Sequence, residues 1–130
     1  MNKENIPIYV RIAEGIKNHI LTGDFMEGEQ LTSTRKISED NNINIATANK
    51  AVNELVKENL VIKRRGIGMF VAEGAVDKLI AERRHVFRKK YIEAALAEAK
   101  LLRYGVEDLQ RMVSEVYEEE KLREKRGRLR

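Results

Sequence analysis

The chain of 130 residues has no cysteine, no tryptophan, a single proline and only three phenylalanines. Without cysteine there is no disulfide framework, no thiol nucleophile and no thiolate site for zinc or an iron–sulfur cluster. Hydrophobic residues at 42% with so few large aromatics allow a modest core but not a large ligand-enclosing barrel. No apolar run approaches the roughly 20 residues that span a bilayer. Residues Met1 to Pro7 lack the apolar segment of a secretory signal. These absences point to a soluble, cytoplasmic protein with no membrane partner. His19 and His85 have no companions at ligand spacing, so neither a metal nor a cofactor is expected. With no phosphate-binding glycine loop and no Ser/His/Asp constellation, no enzyme is expected either.

Charge is abundant instead. Asp, Glu, Lys and Arg make up 35% of the chain, above the rough quarter of a typical domain, which favours long, solvated helices. The net charge of +4 suggests a polyanionic partner. Its distribution complicates that reading. Residues 1–74 carry ten Lys/Arg against ten Asp/Glu, whereas residues 75–130 carry fifteen against eleven. Any grip on a polyanion by the N-terminal half must therefore come from local placement of charge.

Helical spacing dominates the hydrophobic pattern. Ile8, Ile12, Ile16 and Ile20 recur every four residues after Pro7 and predict an amphipathic helix ending at Thr22-Gly23. Asp24 to Gln30 reads as a loop. Ser33 can cap a short helix over about Thr34–Asp40, and Asn44 a third helix from Ile45 to about Glu58. That third helix buries Ala48, Ala51, Val52, Leu55 and Val56 and turns Ala46, Thr47, Asn49, Lys50 and Asn53 outward. Leu60–Lys63 and Met69–Ala72 read as two short strands. The Arg64-Arg65-Gly66-Ile67-Gly68 stretch joins them, its glycines permitting the positive φ angles of a tight hairpin.

Glu73-Gly74 marks a boundary. Beyond it the apolar spacing predicts one helix over about residues 76–102, ended by Gly105, and another over about residues 106–125. The expected fold class is thus mainly α with a small β-hairpin wing: a winged helix-turn-helix over residues 1–74 and a two-helix hairpin over residues 75–130.

This order of elements has a chemical use. A helix fits the DNA major groove, and its exposed N-terminal side chains reach base edges. Here those are Thr47, Asn49, Lys50 and Asn53. Asn can pair bidentately with adenine, and Lys can donate to guanine or phosphate. Arg64 and Arg65 at the hairpin tip suit a narrow minor groove, where negative potential concentrates.

Residues 7–72 resemble the DNA-binding domain of the GntR family of bacterial regulators. The resemblance is carried by Pro7-Ile8-Tyr9, by Ile16, Ile20 and Gly23, and by Gly28-Glu29-Gln30-Leu31-Thr32-Ser33-Thr34-Arg35. Thr47 to Leu55 and the wing Gly66-Ile67-Gly68-Met69-Phe70-Val71 complete it. It implies that Arg35 meets phosphate at the start of the second helix, that Thr47, Asn49 and Lys50 contact DNA, and that Gly66 belongs to the wing; Ser33 is expected among the DNA-binding residues as well. There are departures. Thr32 stands where the family usually has Pro, and Ile45 and Asn49 stand where many members have Arg. The short tail resembles the YtrA-like subgroup, whose members are dimers. Leu79, Phe87, Tyr91, Leu109, Val113 and Val116 are the expected dimer contacts.

The resulting expectation is a dimeric transcription regulator, most simply a repressor, bound to a two-fold site on double-stranded DNA. An unidentified small-molecule effector would act by changing the separation of the two heads. Blander readings stand beside it. Arg64 and Arg65 can be solvated charges that discourage edge pairing, and Arg35 can pair with Glu39. Tyr91, Tyr104 and Tyr117 can line an effector pocket rather than a dimer core. The alternative function is an architectural or protein–protein adapter module without sequence specificity.

Overall fold

The computed structural model describes residues 5–128. The elements run α1 (Ile8–Thr22), α2 (Thr34–Asn41), α3 (Ile45–Lys57), β1 (Val61–Arg64), β2 (Gly68–Val71), α4 (Ala75–Phe87), α5 (Glu93–Leu101) and α6 (Val106–Arg128). A π-helical turn, Arg88–Ile92, joins α4 to α5. The described residues divide into two compact units, a head up to Arg84 and a tail from His85 onward.

The head is built around α3. Ala48, Ala51, Val52 and Leu55 have no exposed surface, and around them gather Ile16 and Ile20 of α1, Leu31, Ile37 of α2, Leu60, Val61 and Val71. The helix starts where Asn44 Oδ1 accepts the Thr47 N–H at 2.8 Å, and α2 starts where Ser33 Oγ accepts the Lys36 N–H at 3.2 Å. Both caps are those expected from the sequence. Of the expected stripe on α1, Ile16 and Ile20 are buried and Ile12 packs against the core, and only Ile8 departs. Ile8 is 55% exposed, whereas Ala13, Ile16, Lys17 and Ile20 face inward. Steps of four residues overshoot a helical turn by about 40°, so a strict i+4 row winds off the core.

Lys17 is the one buried cation of this face. Its ammonium lies 3.2 Å from Glu14 and 3.0 Å from Glu58, tying α1 to the end of α3. Burial opposes its charge, but hydrogen bonds to Glu58 and Glu14 outweigh that and raise its pKa above the usual lysine range.

Two expectations are corrected here. The stretch read as a loop pairs with the hairpin: Gly28 donates to the Val71 carbonyl, Val71 to that of Glu29, and Leu31 to that of Met69. Gln30 bridges Phe70 in antiparallel register. One bridge of mixed polar residues leaves no alternating pattern to read. The second correction concerns the boundary at Gly74, which the head crosses. Gly74 takes φ +84° in a turn rather than a linker. The Glu27 carboxylate accepts the Gly74 N–H at 2.8 Å and the Val76 N–H at 3.0 Å, capping α4. Ala75 and Leu79 are both 1% exposed in the head core, and the Lys78 ammonium donates to the Glu58 carbonyl. Leu79, expected in a dimer contact, is therefore a residue of the head's own interior.

In the tail, α5 does not end at Gly105. Arg103 takes the left-handed position (φ +62°), with Tyr104 N–H bonded to the Ala99 carbonyl and Arg103 N–H to that of Lys100. This is a Schellman closure with Arg in place of the usual glycine. Gly105 instead precedes α6, its N–H held by Asp108 at 2.8 Å. Apart from Ala99 the tail buries little: α6 has no buried residue, and Phe87, Tyr91, Val113, Val116 and Tyr117 are each more than half exposed. Leu109 is half-buried. Among the described residues no helix is long and apolar enough to cross a membrane.

Two tests follow from the way the head captures α4. Leu79→Ala should destabilise the head by about 2–5 kcal/mol, the cost of a buried leucine cavity, read by urea unfolding. A purely tail-located Leu79 would leave the head's transition in place. The second test is pH. The Gly74 and Val76 amides hold the Glu27 carboxyl below its ordinary range. Its stabilisation is then present above the unfolded-state pKa and lost as pH falls through the lower folded-state value. The wild type's higher urea midpoint over Glu27→Gln at neutral pH should shrink on acidification. A constant gap would show that the Glu27 charge does not hold the cap.

Candidate nucleic-acid interface

Because the inner face of α3 is sealed, its remaining side chains point out. Ala46, Asn49, Lys50, Asn53 and Lys57 line one open surface of the helix. The Asn49 and Asn53 amides make no hydrogen bond among the described residues, so their donor–acceptor pairs are available to a base edge. Lys50 is less free. Its ammonium sits 4.3 Å from the centroid of the half-buried Tyr9 ring, a cation–π contact reaching across from α1. Thr47 is half-buried, and its hydroxyl donates to Asn44 Oδ1 at 2.9 Å.

Neither α2 nor α3 has an acidic residue in its first turn. The partial positive charge of each N-terminus therefore stays uncompensated and suits an anion. At α2 the Ser33 hydroxyl accepts from Lys36 and keeps its own proton for an outside acceptor. Arg35 is exposed and forms no ion pair among the described residues; it is Lys36 that pairs with an acid, Asp40, at 3.7 Å.

The wing is shorter at its tip than the sequence suggested. Arg64 is the last residue of β1 and pairs with Gly68, leaving Arg65-Gly66-Ile67 as the turn. Gly66 and Gly68 have φ of +78° and +141°. The Arg64 guanidinium lies 4.6 Å from the Phe70 ring centroid, and Arg65 is exposed. Gln30 holds the turn from the side, its Nε2 donating to the Ile67 carbonyl at 3.1 Å. Since Gln30 is three residues before Ser33, the segment that clamps the wing leads directly into the N-terminus of α2.

The family model of the bacterial regulatory proteins, gntR family, matches residues 8–71. The HTH-type transcriptional regulator YhcF of Bacillus subtilis is 30% identical over 102 residues, covering 74% of this chain and 84% of that one. The chain belongs to the GntR family. Along nearly its whole length it also resembles the B. subtilis HTH-type transcriptional repressor YtrA, at 26% identity over 88% of this chain and 87% of that one. A crystal structure of a GntR-family transcriptional regulator from Bacteroides thetaiotaomicron superposes with a TM-score of 0.72 at 25% identity, covering 88% of this chain and 99% of the other. The chain is thus a DNA-binding transcription regulator with a winged helix-turn-helix head, and its relatives are regulators, not enzymes.

Within this GntR head, all the residues singled out from the sequence for DNA lie on exposed or half-exposed surface of α2, α3 and the wing. Sequence reasoning missed Tyr9, Gln30 and Lys57. Lys57 was findable, since it follows Lys50 by seven residues and so shares its face. Tyr9 and Gln30 act through contacts 41 and 37 residues away, which no local pattern reveals.

The wing geometry makes Gly68 testable. A β-carbon there would lie 2.5 Å from Gln30 Nε2, at a φ that side chains rarely adopt. Gly68→Ala should displace Gln30 from Ile67 and cost about 1–3 kcal/mol in backbone strain. Denaturant unfolding and an operator titration should both show the loss. Unchanged stability would mean the wing does not need this backbone.

Proposed function

We propose that this GntR regulator is a dimeric repressor that reads a two-fold operator, with α3 in the major groove and the Arg64/Arg65 wing in the adjoining minor groove. The observation that carries it is the outer face of α3. Its amides are unengaged, and its N-terminus carries no acid to repel phosphate. Ser33 and Arg35 take the flanking phosphate; such contacts fix register without reading sequence. Asn49, Lys50 and Asn53 read bases. Gly66 lets the tip backbone approach the groove.

The tail supplies the two-fold axis. An amphipathic α6 that buries none of its residues, with Val113, Val116 and Tyr117 open, is not stable in water without a partner. A second copy satisfies it, through Phe87, Tyr91, Leu109, Val113 and Val116. Repression is taken from the likeness to YtrA.

Selection from random duplex DNA at near-physiological salt tests this reading, with Arg64→Ala/Arg65→Ala alongside. The expected result is a two-fold motif with half-sites about one DNA turn apart, weakened about tenfold or more by the wing variant. Sedimentation should give a dimer for the wild type and a monomer for Val113→Asp/Val116→Asp. No enrichment from a folded, dimeric protein would sink the sequence-specific reading and leave an architectural or adapter module.

A further inference from the structure

The first turn of α3 is chemically unlike the rest of its outer face. Recognition helices commonly present their N-terminal residues deepest in the major groove. Here those residues are Ile45, Ala46 and Thr47. Ile45 is 48% exposed although it is a large apolar residue, and Ala46 beside it is also exposed. Thr47 is half-buried and has given its hydroxyl proton to Asn44 Oδ1 at 2.9 Å. The same Asn44 oxygen also accepts the Thr47 N–H, so this cap locks the hydroxyl in place. No side chain of this turn therefore has a free N–H or O–H. The polar groups begin one turn later, at Asn49 and Lys50. The Asn44 amide N–H₂, just before the turn, remains available to phosphate.

Within the major groove the largest apolar group on any base pair is the C5-methyl of thymine; cytosine has only a C5–H in that place. Every other edge there carries donors or acceptors. Setting methyl groups against those would strip them of water without replacing the hydrogen bond. Resting on the reading above that α3 occupies the major groove, we propose that Ile45 and Ala46 are specificity-determining residues that select thymine through its C5-methyl. Each half-site then carries thymine where the first turn of α3 meets the bases. The adjoining positions, facing Asn49, Lys50 and Asn53, are read by hydrogen bonds.

The test uses deoxyuridine, which pairs like thymidine but lacks the methyl. In the operator recovered by selection, thymines are replaced by deoxyuridine one position at a time, and wild-type affinity is measured by titration. Replacement facing the first turn should weaken binding about fourfold per methyl lost, and replacement elsewhere should not. Ile45→Ser/Ala46→Ser, checked for an unchanged urea midpoint, should bind thymine and deoxyuridine operators equally, and its own selected motif should lose the thymine. Three results would overturn the proposal while leaving sequence-specific binding intact: an operator without thymine in this register, a wild type indifferent to deoxyuridine, or a deoxyuridine effect that persists in Ile45→Ser/Ala46→Ser. A wild type that selects no sequence at all would overturn the major-groove reading, and this proposal with it.

Discussion

The constraint on which the rest depends is the sealing of α3. Four side chains on one face, Ala48, Ala51, Val52 and Leu55, are removed from solvent completely. The two alanines let neighbouring elements come close, and Val52 and Leu55 fill the space between them. Turning the helix by one residue, about 100°, would bring large apolar groups into water at about 1.5–3 kcal/mol each. It would also force larger side chains into the space sized for alanine. The azimuth of α3 is therefore fixed by packing alone. Its outer face needs no further support to present Asn49, Lys50 and Asn53 outward.

A second set of contacts decides where the head ends. Glu58, at the end of α3, pairs with Lys17 of α1 through its carboxylate and accepts from Lys78 of α4 through its carbonyl. Glu27 caps α4, Leu79 sits in the core, and Arg83 reaches Glu14 at 3.7 Å. The first turns of α4 are thus held by the rest of the head on several sides. The π-helical turn begins only four residues past the head's last residue, Arg84.

Most of the head was legible because its signals are local. Ser33 and Asn44 cap the helices they precede, and α3 shows a strong apolar face. The glycines of the wing occur where positive φ is required. What was not legible depends on partners distant in sequence. Ile8 joins the i+4 row of α1 yet lies outside the core, because the pattern cannot say which side of the row will be covered. Leu79 has the spacing of a tail residue and the burial of a head residue, a distinction made only by folding α4 back onto the core. The edge pairing of Gly28 to Leu31 and the ring of Tyr9 under Lys50 have no local signature at all.

The head carries equal numbers of acids and bases up to Gly74, which sits awkwardly with a polyanionic partner. The structure resolves this by what the acids are engaged in. Glu14 and Glu58 neutralise Lys17, Asp24 pairs with His19, Asp40 with Lys36 and Glu54 with Lys57, while Glu27 is committed to the α4 amides. Arg35, Lys50, Arg64 and Arg65 pair with no carboxylate among the described residues, and two of them rest on aromatic rings instead. On α2 the unpaired Arg35 is offset by the exposed Glu39, itself unpaired among the described residues, but neutrality of the sum still conceals a local excess of unpaired cations on α3 and the wing. Such a head exerts little long-range pull on DNA, so any grip on phosphate rests on these few local cations. In the proposed complex, discrimination comes from close contact at base edges, and the apolar first turn of α3 and the amides behind it then carry more weight than they would on a strongly basic surface.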